Sequence, residues 1–213
     1  MLDKAQYIVV EGPIGAGKTS LAKRLAERLG STTVFEQPEH NPFLGRFYQN
    51  MERWALSTQL SFLFQRIDQL RALAADGGPK GRIVSDFLLE KDPLFAALNL
   101  PQDELALYQR LFDQLRPDDL PKPDLVIYLQ AKPDTLMERI RKRGIETERK
   151  INEAYLERVA ERYARYFYQY EGAPLFIVDA EVLNPVDVDS DFDLLVERLR
   201  AMRGYREFFG YAA

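Results

Sequence analysis

"YIVVEGPIGAGKTS", residues 7–20, passes from an apolar run into a glycine-rich turn and ends on a lysine and two hydroxyls. Gly12, Gly17, Lys18 and Thr19 match the spacing G-x-x-x-x-G-K-[ST], which predicts a strand, a phosphate-cradling loop and a helix in succession. Backbone N–H groups around Gly15–Gly17 are expected to wrap a β-phosphate at the helix N-terminus, where the helix dipole also favours anions. Lys18 is expected on the β/γ oxygens and Thr19 on Mg²⁺. The nucleotide-binding stretch comprises Gly12, Pro13, Ile14, Gly15, Ala16, Gly17, Lys18, Thr19 and Ser20. This motif predicts the phosphate donor. It leaves the acceptor open: water, a protein, a nucleotide or a nucleoside.

Outward from the loop, five short apolar runs read as strands, at about 6–11, 32–36, 82–86, 124–130 and 174–179. Their near-continuous Val, Ile, Leu and Phe content predicts burial on both faces, as in a parallel sheet. Helical patterns lie between them at 18–30, 42–75, 92–115, 133–143 and 151–171, and a last one spans 190–203. Strand and helix alternate, so the expected fold is a doubly wound α/β P-loop NTPase with a five-stranded parallel sheet. "DGGPKG" (76–81) and "RPDDLPKPD" (116–124) read as connections, and 213 residues suit one domain over 1–213.

Composition narrows the partners. Against 33 acidic residues stand 29 basic ones, a net charge of −4, so neither nucleic acid nor an anionic membrane is expected. The N-terminus "MLDKAQYIVV" lacks a basic segment followed by a long apolar one, and a cytoplasmic location is expected. With no cysteine, thiol chemistry is excluded, and with one histidine, His40, a histidine-based triad or metal site is not expected.

In open parallel sheets, ligands collect beyond the carboxyl ends of the strands. Glu36, Asp86 and Asp179 close three of the strands, so all three carboxylates are expected around the phosphate crevice. Glu36 and Asp86 are candidates for activating an acceptor hydroxyl and for positioning Mg²⁺, with Thr19 and Asp86 as metal ligands. On the 42–75 helix, Tyr48, Ala55, Gln59, Phe62 and Arg66 share one stripe at 100° per residue. Leu56, Leu60, Leu63, Ile67 and Leu70 share another, read as core or subunit interface. The first stripe suits a nucleobase, with an amide to pair its edge and a phenyl ring to stack on it. An amphipathic boundary strip fits the same spacing.

"MERIRKRGIETERKINEAYLERV" (137–159) concentrates positive charge, and Arg139 and Arg143 share a helix face before Gly144. Arginines at such a place stabilise the spread charge of a transferring phosphoryl group. Tyr155, Tyr163, Tyr166, Phe167 and Tyr170 read as packing, and "DVDSDFD" (187–193) as a loop and helix start.

Taken together, these segments resemble the deoxynucleoside kinase family, the deoxyadenosine, deoxyguanosine and deoxycytidine kinases, from the glycine loop to the helix after the arginines. The resemblance implies transfer of the ATP γ-phosphate to a deoxynucleoside 5′-hydroxyl in nucleotide salvage, with Mg²⁺, by a homodimer. It implies that Glu36, in "FEQPEHNPFL", meets that hydroxyl. In "FYQNMERWALSTQ" it puts Tyr48 on the sugar 3′-hydroxyl and Gln59 on the base. "RIRKRG" becomes a lid over about 139–150, with Arg139 and Arg143 in matching places and Glu148 near the 3′-hydroxyl. The loop after Asp179 falls by the adenine of ATP. Arg66 and Asp92 match residues that members accepting purines or deoxycytidine carry around the base, so dA, dG or dC is expected, a purine first.

Two positions depart from the family. "VSDFLLEKD" (84–92) keeps the acid, Asp86, but places Phe87 where an arginine is usual, and Ile145 replaces a third lid arginine. Either Arg141, Lys142 or Lys91 compensates, or catalysis is weak or lost and the chain is a kinase-like binding subunit. A nucleoside monophosphate kinase resembling thymidylate kinase is the other rival. It would need extra cations for the acceptor's phosphate, which Phe87 disfavours.

Overall fold

The computed structural model describes residues 1–74, 81–116 and 120–210. Six strands, β1 (Tyr7–Glu11), β2 (Thr32–Val34), β3 (Ile83–Ser85), β4 (Leu125–Gln130), β5 (Leu175–Asp179) and β6 (Arg206–Phe209), make one sheet. The order is β2-β3-β1-β4-β5-β6 and every pairing is parallel. The flanking helices are α1 (Lys18–Leu29), α2 (Leu44–Phe47), α3 (Met51–Ala74), α4 (Asp92–Asn99), α5 (Gln102–Leu115), α6 (Pro133–Arg143), α7 (Glu153–Tyr168) and α8 (Asp189–Ala201). This is the expected α/β fold with one strand more than expected.

The apolar runs end up where their composition sends them. Every residue of β1 is buried, as are the first five of β4, because helices cover both faces of the central strands. The sixth strand, "REFF", escaped the sequence reading for a physical reason. It is four residues long, alternates exposed and half-buried positions, and lies at the edge of the sheet beyond β5. Too little of it is apolar to give a strand signal, and pairing with β5 supplies what its composition does not.

Two expected helices are each two. The 42–75 pattern breaks after Phe47, and Asn50 restarts it by accepting the Arg53 N–H on its side-chain oxygen at 3.1 Å, as an N-cap does. The 92–115 pattern breaks at Leu100, which is extended because Pro101 follows it. The connection expected at 76–81 lies, apart from Gly81, outside the described residues, as do three residues of that at 116–124.

Topology places the site. From β1 the chain moves to β2 and β3 on one side, then crosses to β4, β5 and β6 on the other. The loop after β1 therefore opens at the point where strand order reverses, the usual ligand crevice of such sheets. The sheet's integrity there depends on buried residues such as Ile127, fully inaccessible and paired with Val10 and Phe176. Ile127→Ala should cost about 2–5 kcal/mol of unfolding free energy. Urea melts should show it as a lower midpoint with an unchanged slope.

Candidate active site

The glycine loop has the backbone its sequence demands. Gly17 caps α1 in the left-handed region at φ 93°, and Gly15 lies at φ 86° with no room for a side chain. A Cβ on Gly15 would stand 2.6 Å from the carbonyl oxygen of Leu136. The Lys18 ammonium donates to the carbonyl of Pro13 at 3.2 Å, folded back across the loop. Burial and then the neighbouring Lys91 push its pKa below that of an ordinary lysine. An anion at this site would relieve both penalties.

One cavity runs from this loop to the helices α2 and α3. Ile14, Gly15, Lys18 and Thr19 line one end; Tyr48, Gln59, Phe62 and Arg66 line the other, joined by Thr58, Phe95 and Tyr155. Glu36, Asp86 and Lys91 lie along its wall, and Arg143 and Glu148 close over it. Gln59, Phe62 and Arg66 on α3 thus face the cavity rather than a solvated boundary, as does Tyr48 just after α2, whereas Ala55 of the same stripe is buried outside the lining. Gln59 is buried, with no hydrogen-bond partner for its side-chain oxygen among the described residues. The guanidinium of Arg66 stacks 5.0 Å over the ring of Phe62.

Buried charges tie the wall together. Arg66 Nε donates to Glu36 Oε1 at 2.7 Å, its Nη2 reaches the same oxygen, and its Nη1 binds Asp92. Asp92 is fully buried behind Arg66 rather than in the cavity. Burial opposes ionisation of Glu36, but Arg66, Lys91 and Lys18 outweigh it and hold its carboxyl at about 2. Asp86 accepts from the Glu36 backbone N–H at 2.7 Å and from the Thr19 hydroxyl at 2.5 Å. Its pKa is raised, because burial outweighs those two hydrogen bonds.

Thr19 and Asp86 together present hard oxygen donors beside the phosphate loop, the ligand type that Mg²⁺ takes. No cluster of three or more His, Cys, Asp or Glu able to hold a metal ion is present among the described residues. Two protein oxygens fit a magnesium ion that fills its remaining positions with phosphate and water.

Asp179 does not join this group. Its side chain accepts from the Glu181 N–H at 2.9 Å and so caps the turn after β5. β5 stands beyond β4, two strands from β1, whereas Glu36 and Asp86 follow the adjacent pair on the other side. Arg139 is likewise outside the cavity lining, donating to the Ala180 carbonyl at 2.6 Å, while Arg143 pairs with Glu148 at 2.6 Å. Gly12, Pro13, Ala16 and Gly17 of the loop are not in the lining, nor is Ser20 in the first turn of α1.

The sequence reading missed Glu11, Phe95 and the double duty of Tyr155 and Tyr163, which both pack in the core and line the cavity. Glu11 is fully buried; it accepts from Leu88 N–H at 2.7 Å, Gly12 N–H at 3.0 Å and the Tyr163 hydroxyl at 3.2 Å. The signal was present: an acid ending an all-apolar strand, as with Glu36 and Asp86. Phe87 and Ile145 are not in the site at all; Phe87 is in the core and Ile145 points outward, 42% exposed.

A phosphate loop and a base-sized, amide- and arginine-lined cavity joined by carboxylates define a phosphotransferase with room for a second, nucleoside-like substrate. A model of the deoxynucleoside kinase family matches residues 8–202. The chain is 34% identical to a deoxyguanosine kinase of Bacillus subtilis, over 94% of this chain and 99% of that one. It is 28% identical to a deoxyadenosine/deoxycytidine kinase of the same organism, over 94% of each. A solved deoxyadenosine kinase from M. mycoides with bound dCMP and dCDP superposes with a TM-score of 0.79. That similarity spans 92% of this chain and all of the other, at 28% identity. The chain belongs to the deoxynucleoside kinase family.

Gly15→Ala and Gly30→Ala separate the loop's function from its backbone strain. Both positions have positive φ, but a Cβ on Gly30 meets nothing within 4 Å. Gly30→Ala should cost roughly 1–2 kcal/mol of stability, and Gly15→Ala more, because its Cβ also meets the Leu136 carbonyl. Only Gly15→Ala should weaken ATP binding, by about tenfold or more, in calorimetric titrations.

Proposed function

We propose that this kinase transfers the ATP γ-phosphate to the 5′-hydroxyl of dA, dG or dC, with a purine deoxynucleoside preferred. The observation that carries the reading is the buried Asp92–Arg66 pair beside the amide oxygen of Gln59, which has no hydrogen-bond partner among the described residues. Arg66 is a fixed donor and Gln59 brings both donor and acceptor, which suits a base edge carrying ring nitrogens and an exocyclic group. The two Bacillus subtilis relatives act on dG, dA and dC by name, which supports this assignment.

In this mechanism Tyr48 and Glu148 hold the sugar, and Phe62 provides the stacking face. Glu36, ionised throughout the physiological range, accepts a hydrogen bond from the 5′-hydroxyl and aims its oxygen at the phosphorus. A loose transition state asks little of a base before the P–O bond to the donor has largely broken. The hydroxyl proton then passes to a carboxylate, and Glu36 and Asp86 both remain candidates. Lys18 neutralises charge on the transferring group, Arg143 approaches from the lid, and Arg139 supports the loop after Asp179 on the donor side. Mg²⁺, held by Thr19 and Asp86, would screen the donor phosphates.

We also assign a homodimer. The exposed Phe64 on α3 and Leu107 on α5 offer apolar surface on two helices that touch each other. Sedimentation equilibrium should give twice the chain mass.

Initial rates with ATP and Mg²⁺ across the four deoxynucleosides and their monophosphates test the substrate assignment. The expected order is dG or dA first, dC next, with thymidine and all monophosphates at background. Activity on thymidine alone, or on monophosphates, overturns it. Glu36→Gln should lower kcat by about 10²–10⁴-fold, with ATP affinity changed less than about threefold.

A further inference from the structure

Of the three cations able to offset the missing arginine, Arg141 and Lys142 are exposed and outside this cavity. Lys91 is 2% exposed and lines it. The local sequence explains why. Phe87, Leu88 and Leu89 are all buried, so the chain leaving β3 is pinned to the core. A single 3-10 turn, Leu89–Lys91, then brings the next side chain back to the crevice at the start of α4. Lys91 Nζ lies 3.2 Å from Glu11 Oε1 and 3.5 Å from Glu36 Oε1.

We infer that Lys91 is a positioning residue for phosphoryl transfer: it clamps Glu36 against the fixed Glu11 and sets a second cation beside Lys18. The inference rests on the kinase reading above and assigns the cation that stands in for the arginine absent at Phe87. The charges around it come from every packed element. Glu11 ends β1, Glu36 and Asp86 follow β2 and β3, Lys18 opens α1, and Arg66 and Asp92 come from α3 and α4. Tyr163 on α7 shares Glu11. Four carboxylates therefore face three cations. Removing Lys91 leaves Glu11 without a cationic partner and Glu36 with only Arg66 and Lys18.

A structural role and a positioning role make different demands on that pair, and a charge-neutral double variant separates them. Lys91→Met should lower kcat by about 10²-fold, with KM for the deoxynucleoside changed less than about threefold. Lys91→Arg should keep kcat within about tenfold, since the charge remains. Glu11→Gln combined with Lys91→Met removes both buried charges, so its melting temperature should recover toward wild type. Its kcat should not recover. A double variant that regains turnover, or a Lys91→Met enzyme with wild-type kcat, overturns the inference. So does a well-folded Lys91→Arg enzyme that has lost about 10²-fold or more in kcat. A wild-type chain inert on all deoxynucleosides overturns the kinase reading and this inference together.

Discussion

The carboxylate of Glu11 holds the crevice in shape. It ends the central strand, is completely inaccessible, and joins the first residue of the phosphate loop, the chain leaving β3, a tyrosine of α7 and the ammonium of Lys91. A bare carboxylate buried there would cost several kcal/mol, so its four partners are a condition of the fold tolerating it. Those partners come from separate elements, and satisfying one carboxylate fixes all of them relative to β1. The loop cannot drift from the wall without stranding a buried charge.

Asp86 does the same for the neighbouring strands. It ties the exit of β2, through the Glu36 N–H, to the first turn of α1, through the Thr19 hydroxyl. Glu36 is thereby presented from a backbone that is itself anchored, and its side chain is gripped by Arg66 and Lys91. Arg66 connects that acid to the acceptor end, since one guanidinium touches Glu36, Asp92 and the face of Phe62. The group that would read the base and the group that would orient the hydroxyl are in contact before any substrate enters. Such preorganisation is costly in desolvation and useful in catalysis, where charges need not rearrange as the phosphoryl group moves.

Much of this was legible in the sequence because it depends on order and period. The loop motif, the five apolar strands and the α3 stripe follow from spacing alone, and Glu36 and Asp86 from their places after strands. What escaped was set by tertiary context. "REFF" becomes a strand only because β5 offers an edge. Asp179 obeys the same end-of-strand rule as Glu36, yet it faces its own turn, because strand order, not chain order, decides which strand ends adjoin the loop. Glu11 was hidden inside the motif it supports.

In the role proposed for Lys91, the cation that an apolar residue at 87 cannot supply comes from four residues further along the chain. With an apolar residue at 87, the run 87–89 becomes continuous and sinks into the core, fully so at Phe87. That burial forces the first available long cation, two residues past the run, to span from the start of α4 to the crevice. A lysine suits the longer reach, since its flexible stem can carry a single charge to two carboxylates. On that proposal, the apolar anchor at 87–89 is also what delivers the cation to the crevice.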